Sequence, residues 1–445
     1  MNSHVRDTIS FESILGTAQF NPNKHDFRFG SGQFPWLIIL TSIYIWSSSS
    51  LPLSQNISFL RWPCIVVLAM RAIGASIFSR GRVRTPFPLL LLIMFCGFAL
   101  ISSPYSVLPK VSAIRAVAFV ILIFATVFSN TWIESQSLHS WIYGIAIINV
   151  VACIYFWIQL LTGFGNPYVG TAFAGFTLNP NDLGSYLALS IGPAIILVRD
   201  QALSRYQTQK FIGYCTIGSD AIFIVLTHSR TSMAAGIVAM LLFVLTMQKG
   251  VRLRMVLVTL IIVVAMYAVA GNRLNAGIQH LIMKGGSSSI LTSRVQSLDL
   301  TWLQFLHNPI AGNGFGYLAP KPGAPVSQSI SDIFHVTGIE QSNSFLGIAS
   351  DLGIVGLLLM ISSLLGVVFY LKPNDWIVRR KTILAEDVGL YSIFFVGLVH
   401  MNGEAWLVAP GAYQAFIFWT AVGFIMRSTT AGQDSTKQMR TKNKL

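Results

Sequence analysis

The chain has 445 residues, of which 53% are hydrophobic and only 10% are charged, and its formal net charge is +14. Soluble domains carry about 25% charged residues. The composition therefore excludes a water-exposed globular domain and predicts a membrane protein that crosses the bilayer many times.

Residues 1–33 are polar and mixed in charge, and no secretory signal opens the chain, so this segment is predicted to be a cytoplasmic tail. Apolar stretches of about 20 residues then follow one another. We predict an all-α polytopic membrane protein with about twelve transmembrane helices. The predicted spans are 34–50, 57–79, 87–103, 112–131, 139–162, 183–198, 211–228, 230–248, 252–270, 344–371, 388–402 and 410–426.

The basic residues orient these spans. If the N-terminus is inside, 21 of the 30 Lys and Arg residues fall in segments on the inner side, and the short outer loops have almost none. Both termini are therefore predicted to be cytoplasmic, and nucleic acid is not expected as a partner. The predicted organisation is a tail at 1–33, helices 1–9 at 34–270, a large outer loop at 271–343, helices 10–12 at 344–426 and a basic tail at 427–445.

The four cysteines lie in apolar segments and lack CxxC spacing. The pattern predicts neither a disulfide framework nor a metal site. Small core residues are the interpretation that we favour.

The outer loop contains a predicted amphipathic helix in ILTSRVQSLDLTWLQFLHNP, with Thr292 or Ser293 as a cap and Pro309 as the stop. Such a helix could lie on the outer leaflet with its polar side towards a cavity, or pack across the tops of the membrane helices. The following GNGFG, residues 312–316, is predicted to be a turn in which backbones pack closely. The apolar face consists of Leu291, Val295, Leu298, Trp302 and Phe305.

Charged residues in or near the spans are costly unless they face a cavity or a partner. The acids of this kind are Asp182, Asp220, Asp351 and Glu404. Each could instead belong to a structural ion pair. Together with Arg230 and Arg294, the outer-side acids indicate that an anionic group is held at the outer face, because the guanidinium fork suits phosphate.

Three segments, in order, resemble the O-antigen ligase and polymerase superfamily of bacterial envelope polysaccharide assembly. They are GFTLNPNDLGSYLAL (175–189), LTHSRTSMAAGIVAMLL (226–242), and SRVQSLDLTWLQFLHNPIAGNGFG (293–316) followed by QSNSFLGIASDLGIVGLLLMI (341–361). The resemblance extends over roughly residues 90–425. The segment ISSPYSVLPKVSAIRAVAFV (101–120) further resembles the exopolysaccharide-polymerase branch.

The resemblance implies a metal-independent glycosyltransferase, with no cofactor, that acts at the periplasmic face of the bacterial inner membrane. Its donor would be a glycan on undecaprenyl pyrophosphate, and a co-polymerase in the same membrane would be a partner. The matching positions for pyrophosphate binding are Arg230 and Arg294, with Arg115 as a third. Arg is suited to neutralising charge on a departing pyrophosphate.

Family members place a histidine before the asparagine that corresponds to Asn343, and this chain has Ser342 there. Serine alone cannot take a proton near neutral pH. Glu340 is the base that we favour, with Ser342 and Asn343 in the same site, and His335 or Glu404 are alternatives. Ser and Asn are also favoured as helix N-caps, so Asn343 could start the following helix and orient a substrate as well. A further alternative is that stabilisation of the leaving group suffices without a strong base.

Three other functions remain open. An O-antigen ligase, which transfers glycan to the lipid A core, would use the same fold and pyrophosphate site. A multi-span transporter would more often show two similar halves with interrupted helices. A non-catalytic component of polysaccharide export is the third.

Overall fold

The computed structural model describes residues 36–48, 58–78, 85–132, 138–177, 179–199, 207–246, 292–316, 343–371 and 385–442. These residues are mostly helical, as the composition predicts. The early helices are α1 Trp36–Ser48, α2 Arg61–Phe78, α3 Phe87–Ile101, α4 Pro109–Ile123, α5 Ser129–Trp132 and α6 Leu138–Thr162. The later ones are α7 Pro180–Arg199, α8 Gln207–Leu226, α9 Arg230–Thr246, α10 Thr292–His307, α11 Ser344–Tyr370, α12 Ala385–His400 and α13 Tyr413–Lys442.

Three short elements complete the described chain. A π-helical segment, Phe124–Phe128, joins α4 to α5, so these three form one continuous helix. A small antiparallel hairpin, β1 Tyr168–Val169 and β2 Ala172–Phe173, lies between α6 and α7. A 3-10 turn at Ser58–Leu60 precedes α2.

Four helices are long and apolar enough to cross a membrane: Pro109–Thr131, Leu138–Thr162, Pro180–Arg199 and Ser344–Tyr370. Several large apolar side chains on the helices are exposed, such as Leu161 and Phe369, both at 79%. Exposed apolar surface of this extent is typical of contact with lipid. The chain is therefore a polytopic helical membrane protein. The span predicted at 252–270 lies outside the described residues, so the total of twelve stays a prediction.

Helix starts follow the local sequence. α4 and α7 each begin at a proline, three residues before the predicted spans at 112 and 183. Proline is favoured in the first helical turn because its ring presets φ and its missing N–H is not needed there. α13 continues from the last predicted span into the basic segment 427–445, which the charge pattern predicts to be a tail.

α7 is the centre of the bundle. It packs against α6, α8, α9 and α12, and its residues from Leu183 to Val198 are buried. Glycine allows one of these close approaches, because a Cβ at Gly192 would lie 2.4 Å from the Cβ of Ser392 on α12. On another side of the molecule, α11 packs against α3, α10 and α13.

Three of the four cysteines are buried, which confirms that they are small core residues. The prediction is wrong for Cys215, which is exposed on α8. It lies beside the exposed Tyr214 and one turn from the exposed Phe211, on the outward side of the helix.

Candidate functional site

The structure describes three of the seven predicted site residues with their side chains: Arg115, Arg230 and Asn343. The backbone of Arg294 lies in α10, and its side chain is outside the described part. His335, Glu340 and Ser342 lie outside the described residues altogether.

Asn343 is the N-cap of α11. Its backbone is extended (φ −150°, ψ 127°), and its side-chain oxygen accepts hydrogen bonds from the N–H groups of Phe345 (2.8 Å) and Leu346 (3.0 Å). A cap of this kind satisfies N–H groups that have no partner within the helix. The side-chain amide also donates to the carbonyl of Asn402 at 2.8 Å. Asn343 therefore starts the helix and ties it to a distant loop.

That loop, residues 401–412 between α12 and α13, is called the closing loop here. Ser344 at the start of α11 donates two hydrogen bonds to this loop: its N–H donates to Met401 O (2.9 Å) and its hydroxyl donates to Glu404 O (2.8 Å). The N–H of Leu407 donates back to the Ser344 hydroxyl at 3.3 Å. The closing loop is thereby held against the first turn of α11.

The same loop contacts the first turn of α9, where Arg230 is the first residue. A Cβ at Gly403 would lie 2.3 Å from the hydroxyl oxygen of Thr231, so only glycine permits this approach without a shift. The start of α9 is built by local hydrogen bonds. His228 turns the chain with φ +52°, and the N–H of Ser232 donates to the Ser229 hydroxyl at 3.4 Å.

A buried chain of hydrogen bonds connects the closing loop to α9. The indole N–H of Trp406 donates to Nδ1 of His400 at 2.9 Å, and Nε2 of His400 lies 3.2 Å from the Ser232 hydroxyl. The Ser232 hydroxyl is 2.8 Å from that of Ser229. Indole can only donate, so Nδ1 of His400 is the acceptor and the ring proton is on Nε2. Both ring nitrogens of His400 are thus engaged.

The start of α7 lies at the same end of the molecule. The Gln414 amide donates to Asp182 Oδ1 (3.4 Å) and to the Ser185 hydroxyl (2.9 Å), and the Tyr413 hydroxyl donates to Asp182 O. Asp182 is the acid of the first turn of α7, where a negative charge is favoured. The contacts join the start of α13, directly after the closing loop, to a third helix start.

The turn at residues 308–316 packs into an interruption of α11. Gly353 has φ +64° and ψ −166°, so the helix is broken there. The turn satisfies the freed backbone groups: Ile354 N donates to Pro309 O (2.8 Å), and Asn313 N and Gly314 N donate to Ser350 O and Asp351 O (3.1 and 2.9 Å). Interrupted helices in membranes need such partners.

Glycine is required on both sides of this contact. A Cβ at Gly353 would lie 2.1 Å from Ile310 O, and a Cβ at Gly312 would lie 2.3 Å from the backbone of Asp351. Both residues also have φ in the left-handed region, at +64° and +74°. The prediction that GNGFG is a turn for close backbone packing is therefore confirmed.

Asp351 and Arg115 hold the end of the same turn. The Asp351 carboxylate accepts from Gly316 N at 2.7 Å, Arg115 donates to Gly316 O, and the two side-chain charges interact. Asp351 therefore has a structural role, which is one of the two interpretations that the sequence allowed for it. Eight residues separate it from Asn343, so Arg115 lies about 12 Å along α11 from the cap.

Tyr105, in the loop between α3 and α4, fastens the turn from outside. Its hydroxyl donates to Ala311 O at 2.8 Å, and partial burial raises its pKa above the ordinary value. The Ser102 hydroxyl accepts from Phe315 N at 3.0 Å.

α10, the predicted amphipathic helix, runs from Thr292 to His307. Its polar side faces α11: the Ser350 hydroxyl donates to the Gln304 side chain (3.0 Å), and the Asn313 amide donates to Gln304 O (3.0 Å). The apolar Trp302, Leu303 and Leu306 are about half exposed or more. α10 therefore turns the side with Gln304 towards the protein, and the side with Trp302, Leu303 and Leu306 outward.

Asp220 is not part of this site. It is fully buried among α6, α7 and α8, where it accepts from the Asn149 amide (2.8 Å) and lies 3.3 Å from Cys153 Sγ. Within the described residues, no group of three or more His, Cys, Asp or Glu side chains could hold a metal ion.

The structure brings together four features that are far apart in the sequence: the starts of α7, α9 and α11, and the closing loop. Sequence reasoning assigned no role to Ser232, Trp406 or Gln414. The short spacing of His400, near the end of a predicted span, and Trp406, in the loop that follows, was the only signal for part of this network. The cap at Asn343, in contrast, was predicted from residue type alone.

Residues 216–361 match the family model described as O-antigen ligase. The match extends from α8 through α9 and α10 to α11 beyond its interruption, so it includes Arg230, Arg294 and Asn343. It confirms the resemblance that the sequence motifs carry. No curated protein matches the chain.

Proposed function

Because residues 216–361 carry the O-antigen ligase family match, we propose that the protein polymerises oligosaccharide repeat units linked to undecaprenyl pyrophosphate, at the periplasmic face of the bacterial inner membrane. The match supports a ligase or polymerase type of function in general. The resemblance of residues 101–120 to the exopolysaccharide-polymerase branch favours polymerisation.

One observation carries the site proposal: the helix start at Arg230 and the helix start at Asn343 contact the same closing loop, through Thr231–Gly403 and Ser344–Glu404. A donor bound between them would meet a guanidinium and the N-terminal ends of two helices. All three stabilise negative charge. This is the arrangement that a departing lipid pyrophosphate requires.

In the proposed reaction, Arg230 and Arg294 bind the pyrophosphate of the donor. A hydroxyl of the acceptor sugar attacks the anomeric carbon, and the bond from that carbon to the pyrophosphate breaks. The electron pair of that bond goes to the pyrophosphate oxygen, where the arginines offset the added charge. No metal ion has a part in this scheme. Arg115, which binds the turn at Gly316, would act on the donor from deeper in the site or through that turn.

We propose that Glu340, Ser342 and His335 act near the acceptor; all three lie outside the described residues. Asn343 would have two roles: it would start α11 and also orient the acceptor. We also propose that both termini are cytoplasmic and that an inner-membrane co-polymerase is a partner. These proposals rest on the charge distribution and on the family resemblance.

Transfer of finished glycan to the lipid A core is the second candidate, because the matching family is described as O-antigen ligase. The two activities share the donor and the pyrophosphate site, and they differ only in the acceptor.

A deletion of the gene followed by sizing of the surface glycan tests the proposal. Loss of long chains with single repeat units remaining is the expected result. Long chains that remain on the carrier lipid would establish a ligase instead. An unchanged glycan would overturn both candidates.

A further inference from the structure

A continuous chain of side-chain hydrogen bonds joins the closing loop to the first turn of α9. Its members are buried, each at most 5% exposed: Trp406, His400, Ser232 and Ser229. The distances are 2.9 Å from Trp406 Nε1 to His400 Nδ1, 3.2 Å from His400 Nε2 to Ser232 Oγ, and 2.8 Å between the two serine hydroxyls. The chain thus ends at Ser229, the residue directly before Arg230.

The direction of the protons along this chain follows from its first member. The indole of Trp406 can only donate, so Nδ1 of His400 accepts and the ring proton is on Nε2. This Nε2–H donates to the Ser232 hydroxyl oxygen. Ser232 is fully buried, so its hydroxyl proton needs an acceptor, and the Ser229 oxygen at 2.8 Å provides one. The His400 N–H therefore orders the two serine hydroxyls.

Ser229 receives these bonds as the residue that caps α9. Its hydroxyl oxygen also accepts from the backbone N–H of Ser232 at 3.4 Å, and its own N–H donates to the Thr227 hydroxyl at 3.2 Å. A side-chain cap satisfies N–H groups of the first turn and so fixes where a helix begins. The first residue of this helix is Arg230, whose guanidinium is proposed to bind the pyrophosphate.

Close packing couples this first turn to its neighbours. A Cβ at Gly184 on α7 would lie 2.5 Å from the Ser232 hydroxyl oxygen, and a Cβ at Gly403 would lie 2.3 Å from the Thr231 hydroxyl oxygen. The Ser232 side chain therefore has α7 on one side and His400 on another. Because tightly packed interiors transmit strain, a change at His400 is passed on to the start of α9.

We infer that His400 is a positioning residue of the transfer: its Nε2–H holds the start of α9 where Arg230 meets the departing pyrophosphate. The inference rests on the function proposed above, and His400 lies outside the segment that matches the family. His400 itself is buried and bonded within the protein through both ring nitrogens. It acts on the rate through the placement of the Arg230 guanidinium.

Two substitutions distinguish the two ring nitrogens of His400. In His400→Gln the terminal amide N–H takes the place of Nε2–H, so the bond to Ser232 is kept and the bond from Trp406 is lost. In His400→Asn the shorter side chain places its oxygen near the position of Nδ1, so the opposite bond is kept. Both variants are purified in detergent and assayed with the lipid-linked repeat unit extracted from the deletion strain.

We expect the kcat of His400→Asn to fall by about 10²-fold, the cost of misplacing a group at the reacting centre by about 1 Å. The donor KM should change less, because the negative charge beside Arg230 increases as the pyrophosphate departs. His400→Gln should stay close to the wild-type kcat. Equal kcat values for the two variants, whether low or at the wild-type level, would show that the Nε2–H has no such role and would overturn the inference.

A matched control tests whether His400 acts only by stabilising the closing loop. The buried indole of Trp419 on α13 donates to Leu407 O at 2.9 Å, so Trp419→Phe removes a bond to the same loop and none to α9. This variant should unfold at a lower temperature and keep the wild-type kcat. A similar fall of kcat in Trp419→Phe and His400→Asn would mean that loop stability governs the rate, and the inference would be wrong.

Ser232→Ala keeps the inference testable if His400→Asn does not fold, because it removes only one oxygen. It breaks the chain at the same bond, so its kcat should also fall by about 10²-fold. The double variant His400→Asn/Ser232→Ala should be no slower than either single variant, since both changes act on one chain. A wild-type kcat in Ser232→Ala, or losses that multiply in the double variant, would contradict the inference.

Failure of this inference can be distinguished from failure of the proposed function. If Arg230→Ala is slow while His400→Asn and Ser232→Ala keep the wild-type kcat, the reaction is the proposed one and only the role of His400 is wrong. If the wild-type protein does not elongate the lipid-linked unit, the proposed function itself is overturned.

Discussion

Single residues around the closing loop and the turn 308–316 have two roles: some start helices and others hold charge. Asn343 and Ser344 fix the first turn of α11 to the closing loop. Arg230 opens α9, and Arg115 and Asp351 interact at the turn 308–316. The two arginines therefore have different positions: Arg115 binds a turn, whereas Arg230 is the first residue of a helix.

Replacing Asn343 by Ala should lower the free energy of unfolding by about 1 kcal/mol, the usual value of an N-cap. Asn343→Ser retains a capping oxygen and loses only the amide that donates to Asn402 O. Thermal unfolding in detergent should therefore rank wild type, Ser and Ala in that order. Equal midpoints for wild type and Ala would contradict the capping role.

Asp351→Ala should be destabilising because it removes the acceptor of the Gly316 N–H and the charge that interacts with Arg115. Leaving a buried donor without its acceptor costs about 1–3 kcal/mol. The double variant Asp351→Ala/Arg115→Met should be more stable than Asp351→Ala alone. A double-mutant cycle in which the two changes add independently would show that the charges do not interact.

At the scale of elements, the central feature is the interruption of α11 and the turn that fills it. The turn donates N–H groups to Ser350 O and Asp351 O, and it accepts from Ile354 N. No side chain beyond hydrogen can stand at Gly353 or Gly312. The two segments, which are about 40 residues apart in the sequence, therefore behave as one structural unit.

Gly353→Ala should prevent this unit from forming, because the new methyl group would overlap Ile310 O at 2.1 Å. Gly163→Ala is a matched control: Gly163 also has a left-handed φ, +70°, but a Cβ there meets nothing within 4 Å. The control should cost about 1 kcal/mol for its backbone alone, and Gly353→Ala should cost several times more. Thermal unfolding of both variants in detergent measures the difference, and equal losses would refute the close packing.

Much of the helix and turn structure was predictable from residue types. Apolar length located the described apolar helices within about four residues, apart from the C-terminal end of α13. Asn343 was recognised as a cap, and the Gly-rich segment as a tight turn. The partners of these features were not predictable. Hydrogen bonds such as Ser344 to Glu404 and His400 to Ser232 join residues 60 and 168 positions apart. Local propensity carries no information about such pairs, because they depend on how the helices pack.

For the molecule as a whole, the loops that the charge pattern assigns to the outer side contact one another. The loop after α3 contacts the turn 308–316, the start of α11 contacts the closing loop, and the closing loop contacts α9. The alternation of inner and outer segments was derived only from Lys and Arg, so these contacts are independent support for one common face.

The sidedness of this face can be measured by cysteine labelling in intact cells, starting from a variant without native cysteines. Val169→Cys, in the exposed hairpin after α6, should react with a thiol reagent that cannot cross the membrane. Arg379→Cys, in a basic segment predicted to be inside, should react only after the cells are opened. The opposite pattern would invert the topology and place the proposed site in the cytoplasm.

The most direct test of the account is elongation by the purified protein. Wild-type protein in liposomes, given lipid-linked repeat units extracted from the deletion strain, should yield a ladder of longer lipid-linked chains and release undecaprenyl pyrophosphate. Arg230→Ala should lower the rate by at least about 10²-fold through loss of leaving-group stabilisation, whereas Lys110→Ala, which removes an exposed cation at the same end, should leave it unchanged. Ladders of equal length from wild type and Arg230→Ala, or no ladder from wild type, would contradict the account.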